Sequence, residues 1–307
     1  MTLSEQYIKI HKTKDLYLNE NTNLGYTSFC NQCGWKDYII DKNLIYSHRT
    51  NKYTKKTFTE GLHSHEYYEL IIYIDGNVNY ITDNCVAKPD KYSVICFLPG
   101  QMHTATLMSD SEYERYVFYF SKDFFVLNNT FIPILDFINQ QNSNIFFPDV
   151  AHTEEIKNIL RKIDDTLNSD DLCSGLIAKA LIVELFGIFN SADMPVKKTV
   201  ILTDFCMEIK NYIDNEYASI FTSGDIAQKF HYSREHISRT FKNTFNISVS
   251  DYISKRRVLE SLPLLNEMSS SGVAYEVGFK SQSAYIAAFK KNMGCLPSEY
   301  KKHKYDK

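Results

Sequence analysis

SGDIAQKFHYSREHISRTFKNTF, from Ser223 to Phe245, and SGVAYEVGFKSQSAYIAAFKKNMG, from Ser271 to Gly294, decide the fold of the C-terminal third of this chain. Each stretch has a short apolar helix carrying an alanine, a polar turn, a serine, and a second helix containing Phe-Lys. In the first, Ile226, Ala227 and Phe230 fall on one face at helical spacing. His231 and Tyr232 form the turn, and Ser233 stands where an N-cap hydroxyl accepts from the next helix's free amides. Ile237, Phe241 and Phe245 then recur four residues apart and point one stripe into a core. The opposite face carries Arg234, Glu235, Ser238, Arg239 and Lys242, residue types that contact phosphates and base edges.

The second stretch repeats the plan. Val277, Gly278 and Phe279 supply its turn, with Gly278 free to take positive φ. Ser283 caps or lies near the start of the next helix. Tyr285 and Phe289 form the buried stripe, and Ser281, Gln282, Ser283, Lys290 and Lys291 are the candidate contacts. A lone pattern of this kind also fits a small helical domain with a solvated charged face; two in tandem point to DNA.

The order of elements resembles the DNA-binding domain of the arabinose-operon regulator (AraC/XylS) family. The matching residues are Ala227, Ser233, Ile237, Arg239, Phe241-Lys242, Tyr252 and Arg257, then Val277-Gly278-Phe279, Ser283, Phe289-Lys290-Lys291, Gly294, Pro297 and Tyr300. The resemblance implies two small helical bundles joined by a linker helix, with both recognition helices in the major groove one helical turn apart. Asn246 stands where the family has glycine, a mild change because Asn tolerates the left-handed conformation. Ala287 stands where the family has arginine, inside the uncharged run Ala284-Tyr285-Ile286-Ala287-Ala288. The first unit is therefore expected to supply direct polar readout through Arg239. The second is expected to supply positioning and apolar contact with thymine methyl groups. Pro263 falls inside the linker helix, where a proline costs about 3 kcal/mol, so a kink or an early helix end is expected.

Charge is distributed to suit that reading. Net charge is −3, but residues 229–307 hold 14 Lys+Arg against 7 Asp+Glu, whereas residues 1–199 hold 19 against 25. An acidic regulatory part joined to a basic DNA-binding part follows. No apolar run is long enough to span a membrane, and the N-terminus lacks a signal-peptide pattern, so a cytoplasmic protein is expected. The seven cysteines read as free thiols; Cys30 and Cys33 form a lone C-x-x-C with no second pair to complete a zinc site.

Upstream, the period changes. Leu70–Ile74, Val78–Ile81, Tyr92–Leu98 and Tyr116–Phe120 are strand candidates divided by Gly, Pro, Asn and Asp turns, the pattern of a β-barrel or jelly roll. Within them lie His63, His65, Glu69, Gly76, Pro99-Gly100 and His103. This set resembles the cupin pattern H-x-H-x3-E-x6-G followed by a third histidine. It departs in the second motif, where the leading glycine is absent and Leu107 replaces asparagine. His63 and His65, two apart, point to one face of a strand. With Glu69 and His103 they could converge as hydrogen-bonding groups of an effector pocket, as ligands for zinc, iron or manganese, or as a self-satisfied polar core. Tyr67 and Tyr73 are further effector-contact candidates, suited to stacking on a sugar or another metabolite ring and equally to core packing.

Residues 152–190 show two amphipathic or apolar helices, read as pairing two subunits, as the resemblance implies, or as capping the barrel. Ser191–Lys198 is the linker candidate. The expected architecture is α+β and multidomain. Residues 1–149 would be a cupin-like effector-sensing domain, 150–190 a helical dimerisation or capping segment, 191–199 a linker, and 200–307 an all-α domain with two helix-turn-helix units. The expected function is a ligand-responsive regulator acting as a homodimer on double-stranded DNA, with RNA polymerase as a further partner and no resident cofactor required. Two alternatives stand beside it: a metal-dependent cupin enzyme, and a constitutive activator whose barrel is only a dimerisation scaffold.

Overall fold

The computed structural model describes residues 17–19, 27–30, 36–54, 63–82, 86–126, 145–146, 150–169, 171–191, 204–220, 222–245, 247–293 and 295–305. The chain forms two compact units, one from residues 2–58 and 63–201, the other chiefly from 202–307. The linker candidate beyond Ser191, with Cys33, Asn246 and Gly294, lies outside the described residues.

In the first unit the strands are β1 (Tyr17–Asn19), β2 (Thr27–Cys30), β3 (Lys36–Asp41), β4 (Leu44–Tyr53), β5 (Tyr68–Asp75), β6 (Val78–Ile81), β7 (Val86–Ala87), β8 (Val94–Phe97), β9 (Thr104–Leu107), β10 (Ser111–Phe120) and β11 (Ile145–Phe146). The helices are α1 (Asp123–Val126), α2 (Val150–Leu167) and α3 (Ser174–Ser191). The four expected strands are present as β5, β6, β8 and β10. The barrel expectation needs correction. Among the described residues, the strands divide between an eight-stranded sheet, β1-β2-β3-β4-β10-β5-β8-β11, and a three-stranded sheet, β7-β6-β9. Much of the large sheet comes from β1 to β4, which precede the first strand read from sequence.

Alternation along the central strands builds a core on each face of the large sheet. Leu44, Tyr46, Leu70, Ile72, Val94, Cys96, Phe118 and Phe120 pack on Ile156, Ile159, Ile163, Ile182, Leu185 and Phe186 of α2 and α3. Ile45, Ile71, Ile95, Phe97, Val117 and Tyr119 pack on Val78, Tyr80, Ala105 and Leu107 of the small sheet. Because both faces are covered, these strands read as continuous apolar runs. The helix pair covers the outer face of the sheet.

A charged clasp adds to that packing. His48 Nε2 lies 2.9 Å from Glu114 Oε1, and its Nδ1 lies 2.8 Å from Asp164 Oδ2 on α2. Tyr46 donates to Asp164 Oδ1 at 2.5 Å, and the His48 ring stacks on Tyr116 with centroids 4.0 Å apart. Burial pulls the His48 pKa down, but the bonds and charges of Asp164 and then Glu114 outweigh it and hold the pKa above the usual 6.5. A histidine raised on folding stabilises most fully below its unfolded pKa, and that contribution disappears as pH rises through the folded value. Urea unfolding followed by the chain's one tryptophan, Trp35, should therefore show a midpoint that falls from about pH 6 to about pH 8. His48→Gln should flatten that fall; an unchanged slope would remove His48 as its source.

The second unit contains α4 (Asp204–Glu216), α5 (Ser223–Phe230), α6 (Arg234–Phe245), α7 (Val249–Leu264), α8 (Ser270–Glu276), α9 (Gln282–Met293) and α10 (Pro297–Tyr305). The helix α7 runs through Pro263, which sits in its last turn, and ends at Leu264, so the helix does not stop short of the proline. It also serves two cores. Tyr252 meets Phe241 at 5.4 Å, ring to ring, in the core of the first helix-turn-helix. Val258 joins Val273, Ala274, Val277, Tyr285 and Phe289 in the core of the second.

Candidate nucleic-acid interface and polar cluster

The first helix-turn-helix, α5 and α6, is fixed at its ends. Thr222 Oγ1 accepts from Gly224 N at 3.1 Å while Thr222 N donates to Asp225 Oδ2 at 2.8 Å, a reciprocal capping box. His231 ends α5 in the left-handed region at φ 58°. Ser233 Oγ accepts from His236 N at 3.2 Å and starts α6, as expected. Ile237, Phe241 and Phe245 are buried, which leaves Arg234, Glu235, Ser238, Arg239 and Lys242 exposed on the other side. Arg234 lies back over Gly224: a Cβ at that glycine would come within 2.6 Å of its guanidinium. Arg239 has no such neighbour among the described contacts.

In the second helix-turn-helix, α8 and α9, Gly278 takes φ +89° in the turn. The cap of α9 is Ser281, whose Oγ accepts from Ala284 N at 3.2 Å, and Ser283 is the second residue of the helix, near its start. Tyr285 and Phe289 are buried, while Gln282, Ser283, Ala284, Ala287, Lys290 and Lys291 are exposed and Ser281 is half-buried. Lys291 reaches Asp251 Oδ1 on α7 at 2.6 Å, and this bond together with Ser248 holds the Asp251 carboxyl below its usual range.

Two groups in this unit escaped the sequence reading. Lys210 is fully buried, with Nζ 2.6 Å from Asp214 Oδ2, and Tyr252 donates to Asp214 Oδ1 at 2.5 Å. The Lys-x3-Asp spacing was a visible signal of the pair, but the tyrosine 38 residues on was not. Arg257, known only as a matching residue, donates to two main-chain carbonyls, Tyr217 O at 2.8 Å and Ile220 O at 2.6 Å.

In the sheet unit, His63, His65, Glu69 and His103 do come together, with their ligand atoms all within 4.8 Å of one another. His63 and His103 are joined by a main-chain bridge, and Glu69 comes from β5. His65 Nε2 lies 2.9 Å and His103 Nε2 3.0 Å from the same atom, Glu69 Oε2. On the far side of each ring, Nδ1 faces a carbonyl: Tyr67 O at 2.8 Å for His65, Gln101 O at 2.9 Å for His103. A carbonyl only accepts, so each Nδ1 carries a proton. Neutral rings would then aim two imidazole lone pairs at a carboxylate oxygen. Positive charge must sit between them, as protons on Nε2 or as a cation. Burial pushes His65 down, while Glu69, which burial alone would raise, is held well below the carboxylate range by His103 and His65.

Stacked rings close the cluster. Tyr67 lies on His65 and Phe97 on His103, each with centroids 4.0 Å apart. Tyr73 stands apart, about 13 Å from Glu69 along β5, with its hydroxyl on Gly76 O. Among the described residues, then, the structure assembles five of the six effector candidates and leaves Tyr73 out.

Residues 226–303 match the family model described as a helix-turn-helix domain. That segment is an AraC-type helix-turn-helix domain. The AraC-type segment is 32% identical over 97 residues to the Msm operon regulatory protein of Streptococcus mutans, covering 31% of this chain and 35% of the relative. It is 30% identical over 112 residues to the transcriptional regulatory protein HptR of Staphylococcus aureus, covering 36% and 44%. Among solved structures, it is 30% identical to the C-terminal domain of the two-component response regulator yesN from Fusobacterium nucleatum, covering 32% of this chain and 98% of that one with a TM-score of 0.31. The chain thus spans about a third to under half of the curated relatives named here. Among the described residues no helix is long and apolar enough to cross a membrane.

Proposed function

We propose that the chain is a ligand-responsive, sequence-specific transcription regulator that grips double-stranded DNA through residues 200–307. The observation that carries this reading is the pair of capped helices, α6 and α9, each anchored by buried aromatics and each with its polar face exposed. The relatives named above are regulators, which favours this role over the cupin-enzyme alternative. Arg239, with Glu235, Ser238 and Lys242 around it, reads base edges and phosphates. Arg234 and Lys291 position the helices as well as the DNA, since one lies over Gly224 and the other holds Asp251. Gln282, Ser281, Ser283 and Lys290 position the second unit, and Ala284 and Ala287 suit thymine methyl groups. In a selection from random duplexes followed by affinity measurement, Arg239→Ala should cost about 1–3 kcal/mol at the bases it reads, and Gln282→Ala less. A larger loss of specificity from Gln282→Ala would overturn the division.

The N-terminal unit is the sensor in this reading. An effector, a sugar or another metabolite, would favour one arrangement of a homodimer on DNA and so change promoter output by RNA polymerase. Exposed Leu176, Ile177 and Val183 on α3 support a second copy as its partner.

One observation favours a cation as the occupant of the polar cluster. Its four ligand atoms leave room for a single ion, and the two Nδ1 bonds already fix the ring orientation that ligation requires. His63, His65, Glu69 and His103 would hold the ion, which would supply a fixed positive charge where the electron pairs meet. Chelator-treated full-length protein should melt higher on adding zinc, manganese or iron(II), and His65→Ala should abolish the shift. Equal melting with and without each ion would leave the cluster as a self-satisfied polar core.

A further inference from the structure

Three elements meet at one point between the two helix-turn-helix units. The first is the loop 217–220 after α4. The second is Arg257 on α7, whose guanidinium donates to the carbonyls of Tyr217 and Ile220 and is 8% exposed as a residue. The third is the turn of the second unit: the Arg257 guanidinium lies 5.6 Å from the Phe279 ring centroid. Gly278, beside Phe279, sits directly on the loop. A Cβ there would fall 2.3 Å from Ala218 O and 2.7 Å from Ala218 Cα. Tyr217 completes the contact by packing against the second unit's core. The turn that aims α9 therefore rests on the main chain that leaves α4, with no side chain between them.

We propose that Arg257 and Gly278 are positioning residues that fix the distance and angle between α6 and α9, so that the chain reads a two-part DNA site with one spacer length. This rests on the reading of both helices as DNA readers. One added base pair advances a half-site by about 3.4 Å and turns it by about 35°, since a helical turn holds about 10–10.5 pairs. A hinged pair of units would follow that change. This pair follows it only by breaking two charge-assisted hydrogen bonds and prising Gly278 off Ala218. Neither residue needs to touch DNA to have this effect.

The test is selection of full-length protein on random duplexes long enough to hold both half-sites, followed by sequencing. The readout is the distribution of spacer lengths between the two enriched motifs. Wild type should favour one spacer, with those one pair shorter or longer depleted about tenfold. Arg257→Gln should keep both motifs but bring the neighbouring spacers to within about threefold of the best. Arg257→Lys, which keeps a cation able to donate to one carbonyl, should fall between. Phe279→Leu removes the aromatic seat while leaving both carbonyl bonds available, and should broaden the distribution in the same direction if Arg257→Gln fails to fold. A folded Arg257→Gln or Phe279→Leu protein with the wild-type distribution would overturn the proposal, as would a wild-type protein that accepts several spacers equally. In either case the DNA-binding reading survives. If wild type enriches no motif at all, that reading falls, and the proposal with it.

Discussion

Asp214→Ala is expected to destabilise the C-terminal unit by about 3–5 kcal/mol, the cost of removing one partner of a buried ion pair. Lys210 is 0% exposed and its ammonium lies 2.6 Å from this carboxylate. The same carboxylate accepts from Tyr252 at 2.5 Å and lies 3.7 Å from Arg256 Nε, so one truncation strips an acceptor from α4 and from α7 together. A loss of that size is comparable to the whole stability of a small domain. Helical circular dichroism should show the unit melting far below wild type, and DNA affinity should disappear with it. Lys210→Met removes the buried charge itself and should cost much less. If the two variants melted alike, the penalty would come from packing and not from charge.

Gly278→Ala is the second large effect. Alanine at φ +89° is strained by about 1–2 kcal/mol, and its Cβ would overlap main-chain atoms that cannot rotate away. The sum should exceed about 3 kcal/mol in urea unfolding. Gly187→Ala makes the control. It lies in α3 with nothing within 4 Å of the added carbon, and alanine there should stabilise the helix by about 0.5–1 kcal/mol. Equal midpoints for the two variants would show that the Ala218 contact is not made in solution.

The helix-turn-helix units were legible because their signals are local. Ser233, Ile237, Phe241 and Gly278 act within a few residues of themselves, through caps, stripes and turn geometry. The cluster of His63, His65, Glu69 and His103 was legible through the cupin-like spacing of its residues, although His63 and His65 lie ahead of β5, His63 on an isolated bridge to His103, and not on a shared strand. What the sequence hid is long-range. The strand β4 runs from Leu44 to Tyr53 and pairs along its whole length with β10. It carries Ser47, His48 and Arg49, whose polarity masks the alternation, and the polar groups find partners only once Asp37, Glu114 and Asp164 arrive. Tyr73 was grouped with the histidines by type, but its place on β5 put it beside Tyr113. For Ser283 the sequence left two places open, the cap or the start of α9, and only the hydrogen bond from Ala284 N to Ser281 Oγ decides between them.

The helix α7 lends Tyr252 to one core and Val258 to the other. Neither half of the reader is therefore a module that can be excised, swapped or duplicated by itself. A gene fragment ending before Tyr252 would strand the front half without its tether, and one beginning after Val258 would leave the rear half without its floor. Cutting α7 anywhere between them divides one helix that both cores share, so in the proposed role the outward side chains of α6 and α9 would set base preference while Arg257 and Gly278 would set spacing.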